Sequence, residues 1–305
     1  MSFSKDVKED LLRIKNSEKA NYAETLGMIR LAGEVSINSK TLSLTCNSMG
    51  IIRRFVRLIR TKYDIEYSIL SRTISRLDNH TVFTCQISNA IDIINDYNLL
   101  SIDSVDFDTE EEKCAYLRGV FLVKGSVNDP QSRSSHLEIS YSSDKEIIYI
   151  QKIMNDFDLN ARIAKRKNVY LAYVKSKDVI GEFLYLIGAT RTMEYYQNTI
   201  ITKEIKATTK RTINLDVANQ AKTNKASSEQ MKYIKYLEYN YDLSKLDNKL
   251  LMVMKVRYDN PELSLSELLD IIHEEFEPDL SKSGLNHRIN KLKEIAEEDM
   301  KKKKK

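Results

Sequence analysis

Glycine and proline are scarce in this chain, at 8 and 3 of 305 residues. That scarcity excludes collagen-like or linker-like material and argues against a loop-rich all-β design. Tryptophan is absent, while Lys, Ile, Asn and Tyr are frequent, the coding habit of an AT-rich genome. The three cysteines, Cys46, Cys85 and Cys114, stand far apart and form no CxxC pair. Such a scattered odd set reads as reduced core thiols in a cytosolic protein, with neither a disulfide framework nor a metal site. No apolar run approaches the ~20 residues that span a bilayer. The start, MSFSKDVKEDLL, is charged from residue 5 and lacks the apolar stretch of a signal peptide. A soluble cytoplasmic protein with no membrane contact is expected. The 42% of hydrophobic residues supports a sizeable core and excludes global disorder. Length alone suggests roughly two domains.

The formal net charge of +4 comes from 48 basic against 44 acidic residues. Five of the bases are the terminal run Lys301 to Lys305, and without them 43 bases face 44 acids. The sum therefore says little about partners, and the distribution matters more.

An internal repeat dominates the first two thirds. LGMIRLAGEVSINSK (26–40) resembles RGVFLVKGSVNDPQ (118–131), and the pairs Gly27/Gly33 and Gly119/Gly125 share an offset of 92 residues. The following segments match as well. TLSLTCN (41–47) and HLEISYS (136–142) alternate as strands, and GIIRRFVRLIRTKY (50–63) and KEIIYIQKIMNDF (145–157) are periodic as helices. EYSILSRT with TVFTCQI (81–87) then parallels NARIAKRK with NVYLAYV (168–174), and each half closes on a helix, 90–100 and 178–188. The expectation is an α+β fold of two αββαββα halves, 1–105 and 106–200, the second led in by residues from Glu110. A glycine inside a helix costs roughly 1 kcal/mol relative to alanine, so a repeated pair calls for a packing reason. Two helices crossing at close range supply it. Helix C-caps at Gly33 and Gly125 are the simpler reading, but they leave Gly27 and Gly119 unexplained.

These segments resemble the LAGLIDADG homing-endonuclease fold. The resemblance implies that the glycine-bearing helices pair at the centre of a pseudo-two-fold domain whose strands form a saddle for DNA. Its nucleases carry an acid just before the last glycine of each helix, where the pair holds divalent metal. Here those positions are Ala32 and Lys124, with Glu34 and Asp129 nearby in sequence but not at the matching places. No bound metal, no cofactor and no catalytic residues are expected.

The charge is concentrated locally. Residues 161–177 hold Arg162, Lys165, Arg166, Lys167, Lys175 and Lys177 without an acid, and residues 51–76 hold seven bases, including Arg72 and Arg76, against Asp64 and Glu66. Basic strands in matching places of both halves are the footprint of phosphate contact. A lysine-protected sheet edge is the plainer alternative.

From about Thr202 the sequence becomes poor in large apolar residues, and 201–226 reads as a basic inter-domain linker with helix from Asn214 to Ala226. The last part, 227–300, reads as a helical cluster, followed by the oligolysine tail 301–305. An S-x-x-E capping box, Ser264 to Glu267, opens one helix. After the connection from Phe276 to Leu280, Ser281 is placed to cap another, with Leu285, Ile289, Leu292 and Ile295 as its buried stripe. Residues 262–279 carry seven acids and no Lys or Arg, whereas 281–295 carry four bases and one acid. A helix–turn–helix over 263–296 is expected to meet double-stranded DNA through Ser281, Lys282, Ser283, Gly284, Asn286, His287, Arg288, Asn290 and Lys291. Arg288 and Asn286 are the candidates for base edges, the lysines for phosphates. Ser283 and Gly284 stand at the helix N-terminus, where free amides suit a phosphate.

The order of parts is similar to the WhiA family of sporulation and cell-division regulators. AYLRGVFLVKGSVNDP, RTINLDVAN (211–219) and SKSGLNHRINKL (281–292) carry that resemblance over essentially the whole chain. It implies a non-enzymatic, nucleoid-associated DNA-binding protein acting in transcription or in division and chromosome segregation, with proteins of those processes as further partners. The alternatives are a retained endonuclease and a protein- or ligand-binding module with only the C-terminal domain on DNA.

Overall fold

The structure, a computed structural model, describes residues 2–74, 80–100 and 105–303. It separates into two compact units, residues 1–204 and 205–305.

Unit 1 opens with α1 (Phe3–Leu11), which buries Phe3, Val7 and Leu11 at helical spacing. The first half follows as α2 (Glu18–Ala32), β1 (Gly33–Ser36), β2 (Thr41–Cys46), α3 (Met49–Ile59), β3 (Tyr67–Ile74), β4 (His80–Ile87) and α4 (Ile91–Asp96). The second half repeats that order as α5 (Glu110–Lys124), β5 (Gly125–Val127), β6 (Leu137–Tyr141), α6 (Asp144–Asn155), β7 (Arg162–Arg166), β8 (Val169–Val174) and α7 (Lys177–Leu186). Each half forms an antiparallel four-stranded sheet, in the orders β1-β2-β4-β3 and β5-β6-β8-β7. Leu42, Leu44 and Cys46 of β2 and Leu137 and Ile139 of β6 are buried on one face, and the residues between them point the other way. This alternation gives each sheet a helix-covered face and an open one.

The centre of unit 1 is the packing of α2 on α5. A methyl group on Gly27 would lie 2.6 Å from the Tyr116 carbonyl oxygen, and one on Gly119 would lie 2.2 Å from that of Glu24. Each helix thus uses its glycine to admit the backbone of the other. The outer pair behaves differently. Gly33 and Gly125 are the C-caps of α2 and α5, both extended, and begin β1 and β5. Their crowding is against Ile29 and Phe121 of their own helices, so they are chain-direction changes and not helix-pair contacts.

Buried charge flanks this helix pair. Glu24 on α2 is fully buried and receives Arg54 of α3 through both Nε and Nη2, the latter at 2.7 Å. Arg118 of α5 reaches the same carboxylate at 3.1 Å and donates to the Asn16 side chain and the Ile187 carbonyl. Arg54 also donates to the carbonyls of Leu12 and Ile14.

The segment read as a polar linker, 201–226, is helical throughout. It belongs to α8 (Thr190–Asn240), a 51-residue helix. No glycine or proline lies within α8, so no helix breaker interrupts it there. Unit 2 adds α9 (Asn248–Asp259), α10 (Leu265–Glu275) and α11 (Lys282–Lys303). Its core gathers Ile234 and Leu237 of α8, Val253 and Met254 of α9, Leu268 and Ile272 of α10, and Leu285, Ile289, Leu292 and Ala296 of α11. Ile295, expected in that stripe, is half-buried. The lysine run is continuous with α11 as far as Lys303, whose ammonium pairs with Asp299 at 2.8 Å.

Candidate nucleic-acid interface

The helix–turn–helix of unit 2 is α10 and α11. The capping box forms: the Glu267 amide donates to Ser264 Oγ, and Glu267 Oε2 accepts the Ser264 amide at 2.7 Å. Ser281 opens α11 by accepting the Gly284 amide at 3.1 Å. Between them, residues 276–281 form a six-residue connection held by three contacts. His273 Nε2 lies 2.7 Å from the Leu280 carbonyl oxygen, Lys282 donates to Ser266 Oγ at 2.6 Å, and Arg288 grips Glu277 with both terminal nitrogens at 2.6 and 3.0 Å.

The last contact corrects one expectation. Arg288 was a candidate for a base edge, but its side chain is only 15% exposed and its planar fork is occupied by the Glu277 carboxylate. The hydrogen bonds that Arg288 donates to Glu277 hold the carboxyl below its usual range and raise Arg288. Arg288 orders the connection. Because Leu285, Ile289 and Leu292 face the core, Asn286, His287, Asn290 and Lys291 are exposed, as are Ser281, Lys282 and Ser283, with Gly284 half-buried. Asn290 also borders a small cavity between α8 and α11, together with Gln230 and Lys293. Gln230 Oε1 is buried there without a hydrogen-bond partner among the described residues. Nothing in the sequence singled out Gln230, since its place beside α11 depends on the tertiary packing of α8.

In unit 1 the strand register sorts the basic residues by face. Arg162 pairs with Tyr173 and Arg166 with Val169, in the same alternation as Ser126, Glu138 and Ser140, which is the open face of the second sheet. Lys175, just beyond β8, lies with its ammonium 5.3 Å from the Tyr173 ring. Lys165 pairs with Tyr170, in register with the buried Ala172, and so belongs to the helix-covered face, where its ammonium rests 4.9 Å from the Tyr170 ring. It does not join the open-face cations. Lys167 is an exposed turn residue with φ of 53°. On the first sheet, Arg72 opposite Val82 shares the open face with Ser43, Thr84 and Gln86. Arg76 lies outside the described residues.

Acids on these faces are few. Glu34 is exposed on β1, and Glu138 is engaged by His136 at 2.8 Å and by Arg166 at 3.9 Å. Asp129 caps its own turn, accepting the Gln131 amide. Ala32 is half-buried and Lys124 exposed at the ends of the paired helices. Among the described residues, no three His, Cys, Asp or Glu side chains are grouped so as to hold a metal ion. None of the described helices is long and apolar enough to cross a membrane.

Fold and site define a protein with a doubled LAGLIDADG-like unit, glycine-paired at its centre, joined in sequence to a helix–turn–helix unit. Family models match accordingly: the WhiA N-terminal LAGLIDADG-like domain over residues 18–100, the WhiA LAGLIDADG-like domain over 113–206 and the WhiA C-terminal HTH domain over 209–296. The chain belongs to the WhiA family. It is 32% identical to the probable cell division protein WhiA of Staphylococcus epidermidis, with 97% of each chain covered. It is 34% identical to that of Ligilactobacillus salivarius, covering 97% of this chain and 96% of the relative. The full-length DUF199/WhiA structure from Thermotoga maritima matches 98% of this chain and 99% of its own, at 26% identity and a TM-score of 0.62.

Proposed function

We propose that this chain is a non-enzymatic regulator of cell division and chromosome segregation that acts on double-stranded DNA. Unit 2 is the reader. The observation that supports it is the free face of α11, where Asn286, His287, Asn290 and Lys291 are exposed on a helix fixed from behind by its buried stripe. Asn is suited to bidentate contact with adenine in the major groove, and Lys291 and Lys282 to phosphate. Ser283 stands at the N-terminal turn of the same helix, where a phosphate oxygen fits, while the Gly284 amide, expected to be free, is taken by Ser281. The open-face cations Arg72, Arg162, Arg166 and Lys175 add sequence-independent phosphate contact from unit 1. On this reading the protein acts in the cytoplasm on the nucleoid, with proteins of transcription or division as further partners.

Genome-wide mapping of bound sites supplies a preferred duplex, and fluorescence anisotropy then compares it with scrambled DNA. Asn286→Ala is expected to weaken the preferred duplex by about 1–3 kcal/mol while sparing the scrambled one. Equal losses on both would remove the base-reading role. The non-enzymatic reading has its own test. Supercoiled plasmid incubated with the protein and Mg²⁺ is expected to stay closed; nicking that disappears on changing Glu34 or Asp129 would overturn it.

A further inference from the structure

A cleft of about 750 Å³ in unit 1 lies between α1, the junction of β2 with α3, and the start of β5, where it meets the open face of the second sheet at Ser126. Lys5, Lys8, Asn47, Ser48 and Ser126 line it, and among its described lining residues Glu9 is the one acid. Lys124, one residue before the β5 wall, is exposed, and its charge acts on Lys8. Neither Lys5, Lys8 nor Lys124 makes an ion pair among the described residues. The recorded neighbour of the Lys8 ammonium is the Phe121 ring, 5.9 Å from its centroid. Lys8 is half-buried, yet no carboxylate offsets its desolvation.

We propose that this cleft binds a phosphate group, held by Lys8, Lys5 and Lys124 together with the hydroxyls of Ser48 and Ser126. Three ammonium groups against one carboxylate leave an excess of about two positive charges, which suits a phosphate better than a singly charged carboxylate. The donors also come from three directions, as four phosphate oxygens require, whereas a planar carboxylate would leave part of the set unused. The wall supplied by α3 contributes further. Ser48 is the N-cap of this 11-residue helix, but its hydroxyl makes no capping bond, so the first-turn amides carry no intrahelical or side-chain acceptor. Ser48 and Met49, at the positive end of that helix, both line the cleft. Burial pushes the Lys8 pKa down to about 8, the Lys124 charge acts in the same direction, and Cys46 opposes them. An anion in the cleft opposes that shift and favours the charged form.

The phosphate can come from a DNA backbone or from a free phosphate ion, and the test separates the two. Isotope-labelled full-length protein is titrated with inorganic phosphate at constant ionic strength, following the amides of Met49, Gly50 and Ser126, while acetylation of Lys5, Lys8 and Lys124 is read by mass spectrometry. Saturable shifts confined to those amides are expected, with protection of the three lysines. Lys8→Gln is expected to weaken the titration at least about tenfold, the loss of one charge-assisted contact, whereas Lys8→Arg largely preserves it. Lys124→Gln alters only an exposed side chain, so it reports on the site even if Lys8→Gln disturbs folding. A short duplex that moves the same amides and competes with phosphate identifies a backbone phosphate as the occupant; a duplex that leaves them unmoved identifies the free ion. Shifts absent up to 100-fold excess, or equally saturable in both glutamine variants, overturn the proposal.

Discussion

Replacing Glu24 by glutamine keeps the shape of the side chain and removes the one negative charge between two buried guanidiniums. Arg54 is 1% exposed and Arg118 7%, so neither can turn to bulk water without opening the interface of α2 with α3 or α5. The carbonyls of Leu12, Ile14 and Ile187 and the Asn16 amide oxygen still accept some of their hydrogen bonds. What is lost is the carboxylate that both bases approach, and what remains is two like charges in a dry interior. Removing one partner of a buried ion pair typically costs about 3–5 kcal/mol, because the surviving charge is left uncompensated. In a unit of this size each kcal/mol corresponds to about 2–4 °C in Tm, so the transition of unit 1 should fall by about 6–20 °C. Differential scanning calorimetry of the full chain at neutral pH measures this, and the transition of unit 2 serves as the internal reference. Arg118→Met alone should cost less, because Arg54 retains its two-point grip on Glu24. Combined with Glu24→Gln, it should recover part of the loss by removing one stranded charge, a coupling above about 1 kcal/mol. A Glu24→Gln transition within 3 °C of the parent would refute the reasoning, since it would mean that water or backbone movement already compensates the arginines.

Gly119→Ala should be the most damaging single methyl addition in unit 1, at about 1–3 kcal/mol by calorimetry, because the new carbon meets the Glu24 backbone and not a movable side chain; a neutral result would mean that α2 and α5 can separate freely. Arg288→Ala should weaken binding to preferred and scrambled duplexes alike and lower the Tm of unit 2, because it releases Glu277 and the connection; a loss confined to the preferred duplex would return Arg288 to base reading. The same pair sets an acid limit. Glu277 titrates below its ordinary value of 4.5 in the folded protein, so its contribution is complete above that value and is lost as pH falls through the lower folded one. Melts of the parent should therefore lose stability in unit 2 below about pH 4.5, and Arg288→Met should flatten that part of the profile; parallel profiles would contradict the assignment.

The repeat was visible because glycine inside a helix is a costly choice that is seldom made twice at one spacing, and the capping box because side chain and amide lie three residues apart in any such helix. Other features depend on distant partners. Arg54 counted among the seven bases of residues 51–76, and nothing in the sequence pairs it with Glu24, 30 positions away, so its burial could not be read. The short strands β1 and β5 begin on the capping glycines, and runs of four and three residues are too brief for alternation to show. Along α8 the thinness of the apolar pattern suggested a linker, yet Ile205, Ile213, Leu215 and Val217 are exposed on an unbroken helix, so the thinness signalled lack of burial and not lack of helix. On α11, periodicity separated buried from exposed positions but could not show that the turn before it carries a carboxylate placed to claim Arg288.

Backbone symmetry and charge asymmetry serve different purposes in unit 1. The glycines repeat in both halves because close approach of α2 and α5 makes the same demand on each helix. The buried charges do not repeat. The position 92 residues after Glu24 is Tyr116, and the one 92 before Arg118 is Leu26, both fully buried. On the other flank of the helix pair stands a different polar set, with Arg30 of α2 at 3.8 Å from Glu146 of α6 and 5.7 Å from the Tyr149 ring. Two copies of the first half would bring together two glutamates and no Arg118, and two copies of the second would offer Arg118 no carboxylate. The second mispairing strands Arg118 in the interior, at a cost of the order argued for Glu24→Gln, whereas in the first each Glu24 keeps the Arg54 of its own half. The glycines make the halves able to pair, and Arg118 makes the second half depend on the carboxylate of the first.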